Sequence, residues 1–212
     1  MKIDIRDRFI LCCGRRGCGK STLVMYLIKH YKSQFKDILV VSPSSFSGAW
    51  KDIVPDENVQ ENWSEDWVQK LISKMVIRNK GKTQQSKDFT RVLLVLDDVL
   101  SSETKAHNSK ALKVLASRGR HCGISVFINL HFLTSASPMM RNCSDYIIFG
   151  VNNEASINIL YEEFNVGDKD YKTFSKFVRN NTQDYRFLII NNAAANTHDA
   201  KEVYGTYKVK NS

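Results

Sequence analysis

Short apolar runs alternate with longer amphipathic segments along this chain. Runs such as VLLVLD at residues 92–97 are apolar at nearly every position, as strands are when helices cover both faces of a parallel sheet. The pattern predicts strands over residues 8–13, 38–42, 92–97, 124–129, 145–150 and 185–191. Strands that alternate with helices in this way are typical of an α/β domain.

Apolar residues three or four positions apart predict helices between these strands. In the first helix Leu23, Leu27 and Tyr31 fall on one stripe, and Ser64 is placed to cap the second. The predicted helices cover residues 19–33, 64–77, 102–117, 154–164 and 169–178. The last two helices follow the fifth strand. One interpretation is that they form a lid or a lateral subdomain. We expect residues 151–212, helices plus a returning strand, to pack on a core formed by residues 1–150.

The composition is that of a globular protein with a basic surface. The 212 residues are 42% hydrophobic and 25% charged, and 31 basic against 22 acidic residues give a net charge of +9. Such an excess favours a polyanionic partner such as nucleic acid. The segment 78–91 is predicted to be an exposed, mobile, cationic loop.

The five cysteines show no zinc-site spacing and predict a reduced, intracellular protein. No run reaches the roughly 18 apolar residues of a membrane span, so no membrane partner is expected.

The segment GRRGCGKS at residues 14–21 matches the phosphate-binding pattern GxxxxGK[ST] between a predicted strand and a predicted helix. Glycines let backbone N–H groups turn toward phosphates, and the helix start adds further donors. Lys20 is expected to reach the β- and γ-phosphates of a nucleotide, and the Ser21 hydroxyl to ligate Mg²⁺. We expect the nucleotide to be bound by Gly14, Arg15, Arg16, Gly17, Cys18, Gly19, Lys20, Ser21 and Thr22.

Two carboxylates end the central apolar strand, beside the expected position of the phosphate loop. Asp97 is expected to hold Mg²⁺, since an uncompensated acid at a sheet edge needs a cation. Asp98 stands where additional-strand P-loop ATPases carry the carboxylate that activates the attacking water. A helix-capping role is the alternative for Asp98.

Polar residues and arginines farther along supply candidates for the rest of the site. Asn129 and His131 close the next strand, where either is placed to sense the γ-phosphate or to bond local backbone. A transition state with charge on the γ-phosphoryl oxygens needs a cation, which ring ATPases take from a neighbouring subunit. The candidates are Arg141, then Arg120, and last Arg118. A surface salt bridge or a DNA-phosphate contact is the alternative for each.

Four segments together resemble the viral genome-packaging ATPases of the FtsK–HerA superfamily, of the poxvirus, large-DNA-virus and virophage type: GRRGCGKST, VLLVLDDV, SRGRHCGISVFINLH and PMMRNCSDYIIFG. The resemblance covers about residues 10–150. It implies an additional-strand P-loop fold of the RecA/FtsK-like kind, with a mainly parallel sheet covered by helices on both faces. It also implies hydrolysis of ATP with Mg²⁺, a homo-oligomeric ring (pentamer or hexamer), movement of double-stranded DNA into a capsid, and contact with capsid or portal vertex proteins. The expected locations are the host cytoplasm, a viral factory or the virion. The family often has Gln where this chain has His131.

Two other nucleotide-dependent interpretations are open at this point. A nucleoside or nucleotide monophosphate kinase shares this size and phosphate loop, but such enzymes usually carry an Asp-Arg motif after the third strand, and residues 92–117 contain no arginine. A DNA- or capsid-binding protein without motor activity would not need the intact Lys20, Ser21, Asp97 and Asp98. A GTPase would need an Asn-Lys-x-Asp motif, which neither 79–82 nor 168–170 supplies.

Overall fold

The computed structural model describes residues 3–45, 48, 50–51, 53–100, 106, 109–167, 169–197 and 199–209, with the side chains of 195–197 left aside. Within them the strands are β1 (Phe9–Cys13), β2 (Asp37–Val41), β3 (Val59–Gln60), β4 (Val92–Asp97), β5 (Ile124–Leu130), β6 (Tyr146–Phe149), β7 (Arg186–Asn191) and β8 (Tyr204–Lys208). The α-helices are α1 (Lys20–Tyr31), α2 (Glu65–Arg78), α3 (Lys110–Arg118), α4 (Pro138–Cys143), α5 (Glu154–Phe164), α6 (Tyr171–Asn180) and α7 (Ala200–Val203).

These strands form one sheet in the order β3-β2-β4-β5-β1-β6-β7-β8. Neighbours from β3 to β6 pair in parallel, and β7 and β8 add antiparallel pairs at one side. The order places β4 and β5 between β1 and β2, so that the strand carrying the phosphate loop is not adjacent to the strand that follows α1. The predicted fold class, a mainly parallel additional-strand P-loop sheet, is confirmed.

Helices cover both faces because the central strands are apolar on both sides. The core on one face includes Leu23 and Leu27 of α1, and the core on the other includes Val68 of α2 and Leu112 of α3. Helices α5 and α6 pack into that second core, where Leu160 and Phe174 are fully buried. These two helices are therefore part of the main layer on that face, and they do not form a lid.

Most predicted boundaries lie within one or two residues of the observed ones, and Ser64 caps α2 by accepting a hydrogen bond from the Trp67 amide. The third predicted helix differs, since α3 begins at Lys110. Residues 102–105, 107 and 108, which belong to the first part of that prediction, lie outside the described residues. The sequence analysis did not predict β3, α4, α7 or β8, which are only two, six, four and five residues long. No described helix is both long and apolar enough to cross a membrane.

The segment 79–91 is exposed as predicted at Lys80 and Lys87. Its path is nevertheless fixed by internal bonds, in contrast to the mobile loop that its composition favours. The buried Asn79 amide donates to the carbonyl oxygens of Thr90 and Cys122 at 2.8 and 3.0 Å, and its oxygen accepts from the Thr90 amide. Lys82 forms an ion pair with Asp88 at 2.9 Å. The loop lies at the edge of the sheet where β4 and β5 begin.

Candidate functional site

The phosphate loop runs from the end of β1 to the first turn of α1. Gly14 donates its amide to the Leu130 carbonyl of β5 at 3.1 Å, and Arg15 donates to the Val151 carbonyl at 2.9 Å. These bonds fix the loop at the carboxyl edge of the parallel strands. Gly19, the residue before α1, has a φ of 93° and no side chain that could block the helix start. The first amides of α1 therefore face the space above the loop, as phosphate binding requires.

Lys20 is the buried cation of this site. Its side chain is only 7% exposed, and its Nζ donates to the carbonyl oxygens of Gly14 and Arg15 at 2.7 and 3.2 Å. The ammonium group is thus held against two backbone carbonyls of the loop, at the wall of the cleft above it.

Asp97 ends β4 and is held from two sides. The Asn129 side-chain amide donates to its Oδ1 at 2.7 Å, and the Ser42 hydroxyl donates to its Oδ2 at 3.3 Å. Asp97 is 7% exposed and Asn129 is fully buried, so these bonds form away from water. Because the side-chain nitrogen of Asn129 is directed to Asp97, the side-chain oxygen of Asn129 points away from that carboxylate. That oxygen, Oδ1, has no hydrogen-bond partner among the described residues.

Asp98 lies one residue beyond the strand in a left-handed conformation, with a φ of 55°. This turn carries its carboxylate out of the sheet, and His131 Nε2 lies 3.2 Å from Oδ2. The other oxygen, Oδ1, is buried and has no partner in the described part of the chain. Partial burial raises the pKa of Asp98 above its ordinary value, while the adjacent His131 acts in the opposite direction.

Lys20 and Asp98 meet in one cleft above the sheet. The cleft over the phosphate loop is lined by Arg16, Gly17, Gly19, Lys20, Ser21, Thr22, Asp98, His131, Tyr185 and Val209. An adjoining apolar recess shares Asp98 and His131 with it and also reaches Asn129. The structure therefore brings six of the predicted phosphate-binding residues together with Asp98 and His131, whereas Gly14, Arg15, Cys18 and Asp97 do not line the cleft.

The three arginines that were candidates for the transition-state cation do not line this cleft. Arg141 lies in α4 with its side chain 9% exposed. It pairs with Glu163 of α5 and donates to the Ala136 carbonyl at 2.6 Å. Arg120 lies just before β5, at the amino edge of the parallel strands. Its side chain is 53% exposed, with Nη1 3.8 Å from Asp145. Arg118 is exposed at the end of α3.

Sequence reasoning missed three residues that contact the predicted site residues or line the cleft. Ser42 follows β2 directly, and a polar residue in that position was the available signal. Glu163 is 22 residues from Arg141, and nothing in the local pattern links the two. Tyr185 was assigned to a strand, yet it lies in the turn before β7 and faces the phosphate loop.

Solved structures with the same fold include viral and bacterial proteins. The genome packaging NTPase B204 of Sulfolobus turreted icosahedral virus 2, solved with AMPPCP, has a TM-score of 0.66 and 18% identity over 97% of this chain and 99% of its own. The DNA-packaging ATPase B204 of Sulfolobus turreted icosahedral virus has a TM-score of 0.67 and 16% identity, covering 98% and 100%. The conjugation coupling protein TcpA of pCW3 has a TM-score of 0.59 and 17% identity over 89% of this chain and 59% of its own.

Relatives in sequence come from large DNA viruses. Protein 075L of Invertebrate iridescent virus 6 is 27% identical over 94% of this chain and 76% of its own length. Protein 015R of Frog virus 3 is 28% identical over 93% of this chain and 61% of its own. The family described as Poxvirus A32 protein matches residues 4–207, nearly the whole chain. This match confirms the poxvirus-type resemblance of the four motifs, and the chain belongs to the Poxvirus A32 protein family.

Proposed function

We propose that this protein is an ATPase that moves double-stranded DNA, as the motor that packages a viral genome into a capsid. The observation that carries the proposal is the cleft in which Lys20, Asp98 and His131 meet, in a chain of the Poxvirus A32 protein family. The fold shared with the B204 packaging NTPases supports it. A binding protein without turnover would not need Asp98 and His131 beside the phosphate loop, and residues 92–117 lack the arginine of the Asp-Arg motif that is usual in nucleoside and nucleotide monophosphate kinases.

Lys20 and the loop amides bind the β- and γ-phosphates in this proposal. The described residues hold no group of three or more His, Cys, Asp or Glu that would form a metal cage. Mg²⁺ fits such a site, because it is usually bound through one or two protein oxygens together with phosphates and water. Ser21 and Asp97 would supply those oxygens, and a bound Mg²⁺ would serve to neutralise charge on the phosphates. Asn129 and Ser42 position Asp97 for this role.

Asp98 is the proposed general base for hydrolysis. Its side chain is 40% exposed while its Oδ1 is buried, so Oδ2, which His131 Nε2 contacts at 3.2 Å, is the oxygen proposed to accept a proton from the attacking water. The water oxygen forms the new bond to the γ-phosphorus, the bond to the bridging oxygen breaks, and the products are ADP and phosphate. His131 is placed to orient Asp98 or the water, whereas Asn129 directs its amide away, to Asp97. The two residues proposed as γ-phosphate sensors therefore take different roles.

Arg120 is the better candidate for a cation supplied in trans. The guanidinium of Arg141 is paired with Glu163 within its own subunit. The seven residues of β5 separate Arg120 from the carboxyl edge by about 23 Å, at ~3.3 Å per residue. An arginine side chain cannot cross that distance within one subunit. A head-to-tail ring, however, places opposite surfaces of neighbouring subunits against each other.

The exposed lysines of the 79–91 loop are proposed to contact DNA phosphates. Lys80 and Lys87 are exposed, whereas Lys82 is occupied by Asp88. Removing one cation that neutralises a phosphate of duplex DNA lowers the salt slope of binding by roughly 0.9. We expect the change Lys80→Ala with Lys87→Ala to reduce the slope and to leave hydrolysis without DNA unaltered. Arg120→Ala should instead leave the salt slope of DNA binding unchanged and reduce hydrolysis.

The decisive experiment measures ATP hydrolysis with and without double-stranded DNA. We expect turnover that rises with DNA, falls at least ~10²-fold in Asp98→Asn, and partly returns when Arg120→Ala and Asp98→Asn subunits are mixed. The mixed rings contain interfaces that pair an intact Asp98 with an intact Arg120. Phosphate transfer to a nucleoside monophosphate would instead identify a kinase. Nucleotide binding without turnover would identify a binding protein.

A further inference from the structure

An exposed aromatic side chain stands at the rim of the nucleotide cleft. Tyr185 lines the cleft together with Gly19 and Val209. A methyl group placed on Gly19 would lie 3.5 Å from Cδ1 of the tyrosine ring, so the ring is in contact range of the phosphate loop. Half of the Tyr185 residue is nevertheless exposed. The aromatic pairs found among the described residues do not include Tyr185.

The backbone at this position is unfavourable for a tyrosine. Asp184 and Tyr185 have φ values of 53° and 57°, and the Arg186 amide donates to the Gln183 carbonyl at 3.0 Å, which closes a tight turn of the type I′ kind. Glycine strongly predominates at the second central residue of such turns, because a side chain there crowds the backbone. Strain of this sort tends to persist where function requires it.

The position of Tyr185 in the sheet matches the nucleoside end of a bound triphosphate. Asp97 and Asp98 follow β4, on one side of β1, so the γ-phosphate lies toward that side. The nucleoside must then extend toward the other side, where β6, β7 and β8 follow. The Val209 amide donates to the Tyr185 carbonyl at 3.0 Å, which fixes the turn against the end of β8 on that same side.

We propose that the ring of Tyr185 is the stacking platform for the nucleobase of the bound nucleoside triphosphate. The inference rests on the proposed function and adds a residue that positions the substrate. A flat ring with one open face binds a base through contact area and π-stacking. Stacking of a base on an aromatic residue contributes about 1–3 kcal/mol, which corresponds to roughly five-fold to a hundred-fold in Kd.

The test compares a nucleotide with a probe that lacks the base. Binding of Mg·AMPPCP and of Mg-tripolyphosphate is measured by calorimetry for the unchanged protein and for Tyr185→Leu and Tyr185→Phe. We expect Leu to raise the Kd of AMPPCP by about five-fold to a hundred-fold and to leave that of tripolyphosphate within about two-fold. Phe, which keeps the ring, should bind both like the unchanged protein. Tyr26→Leu, a change at another half-exposed tyrosine outside the cleft, serves as the matched control.

A glycine substitution separates stacking from a structural role. Tyr185→Gly relieves the left-handed strain, so its Tm should equal or exceed that of the unchanged protein, while AMPPCP binding weakens as in Tyr185→Leu. A lower Tm, or equal weakening of AMPPCP and tripolyphosphate, would overturn the proposal by showing that Tyr185 supports the loop. Unchanged AMPPCP binding in Tyr185→Leu would overturn it too. If the unchanged protein bound neither probe, the proposed function itself would fail.

Discussion

Replacing Asn129 with leucine tests whether this residue positions Asp97 or reads the γ-phosphate. Leucine has a similar volume and cannot form a hydrogen bond, so the change removes the 2.7 Å bond to Asp97 with little change in packing. Ser42 remains on the other carboxylate oxygen at 3.3 Å. The perturbation therefore acts on one partner of one buried carboxylate.

The magnitude follows from the burial of this pair. Asn129 is 0% and Asp97 is 7% exposed, and a hydrogen bond to a charged group contributes about 1.5–3 kcal/mol. Leucine also removes the Asn129 oxygen that has no partner among the described residues, which offsets part of the loss. We expect the free energy of unfolding to fall by about 1–2 kcal/mol, a decrease in Tm of about 2–8 °C for a chain of this length. Ser42→Ala removes the longer bond, at 3.3 Å, and should lower the free energy of unfolding by less than Asn129→Leu does.

The functional assay is a magnesium titration of steady-state ATP hydrolysis. With Asp97 less well oriented, Asn129→Leu should need more Mg²⁺ for half-maximal rate and recover most of its kcat when Mg²⁺ is saturating. His131→Ala is the comparison, because His131 contacts Asp98, and it should lower kcat at every Mg²⁺ concentration. A leucine variant with unchanged Tm, unchanged magnesium dependence and a reduced kcat would refute the reasoning and make Asn129 a phosphate sensor.

Three further predictions concern charged groups. Lys20→Ala should abolish nucleotide binding by calorimetry and hydrolysis, since the cation inside the loop is removed; undiminished turnover would contradict it. Asp98→Asn should raise Tm at neutral pH, because burial raises the pKa of Asp98 and so disfavours its charged form in the fold. That gain should shrink as the pH falls through the folded-state pKa, and a constant gain would count against it. Arg141→Met should cost about 2–3 kcal/mol by leaving Glu163 unpaired, while turnover per folded molecule persists. Pairing it with Glu163→Met should recover most of the stability, and a stable but inactive double variant would return the trans role to Arg141.

The sequence by itself determined six of the strands and the phosphate loop, because both depend on local pattern. Strands such as β4 are apolar at five consecutive positions, and only a strand covered on both faces satisfies such a run. The loop motif specifies its own conformation, since glycines occupy the positions with positive φ and Lys20 lies within the first turn of α1. The Ser64 cap is likewise encoded within three residues of its partner.

Pairings between distant segments were decided only by the tertiary structure. The direction of the Asn129 amide depended on Asp97, which lies on a neighbouring strand, 32 residues away in the chain. The burial of Arg141 depended on Glu163 at the end of α5. Nothing in a linear pattern records which helix packs beside which, so residue spacing alone could not place these partners.

The dependence on distant segments also explains why Tyr185 was assigned to a strand although it lies in a turn. The residues around it form an apolar, β-favouring run, and the sequence therefore assigned it to β7. The turn lies between α6 and β7, and the antiparallel pairing of β7 with β6 places it at the carboxyl edge of the parallel strands, beside the phosphate loop. Local propensity determined where this sheet has strands; long-range pairing determined which side chains surround the nucleotide cleft, because cleft geometry arises only when segments far apart in the chain are brought to one edge of the sheet.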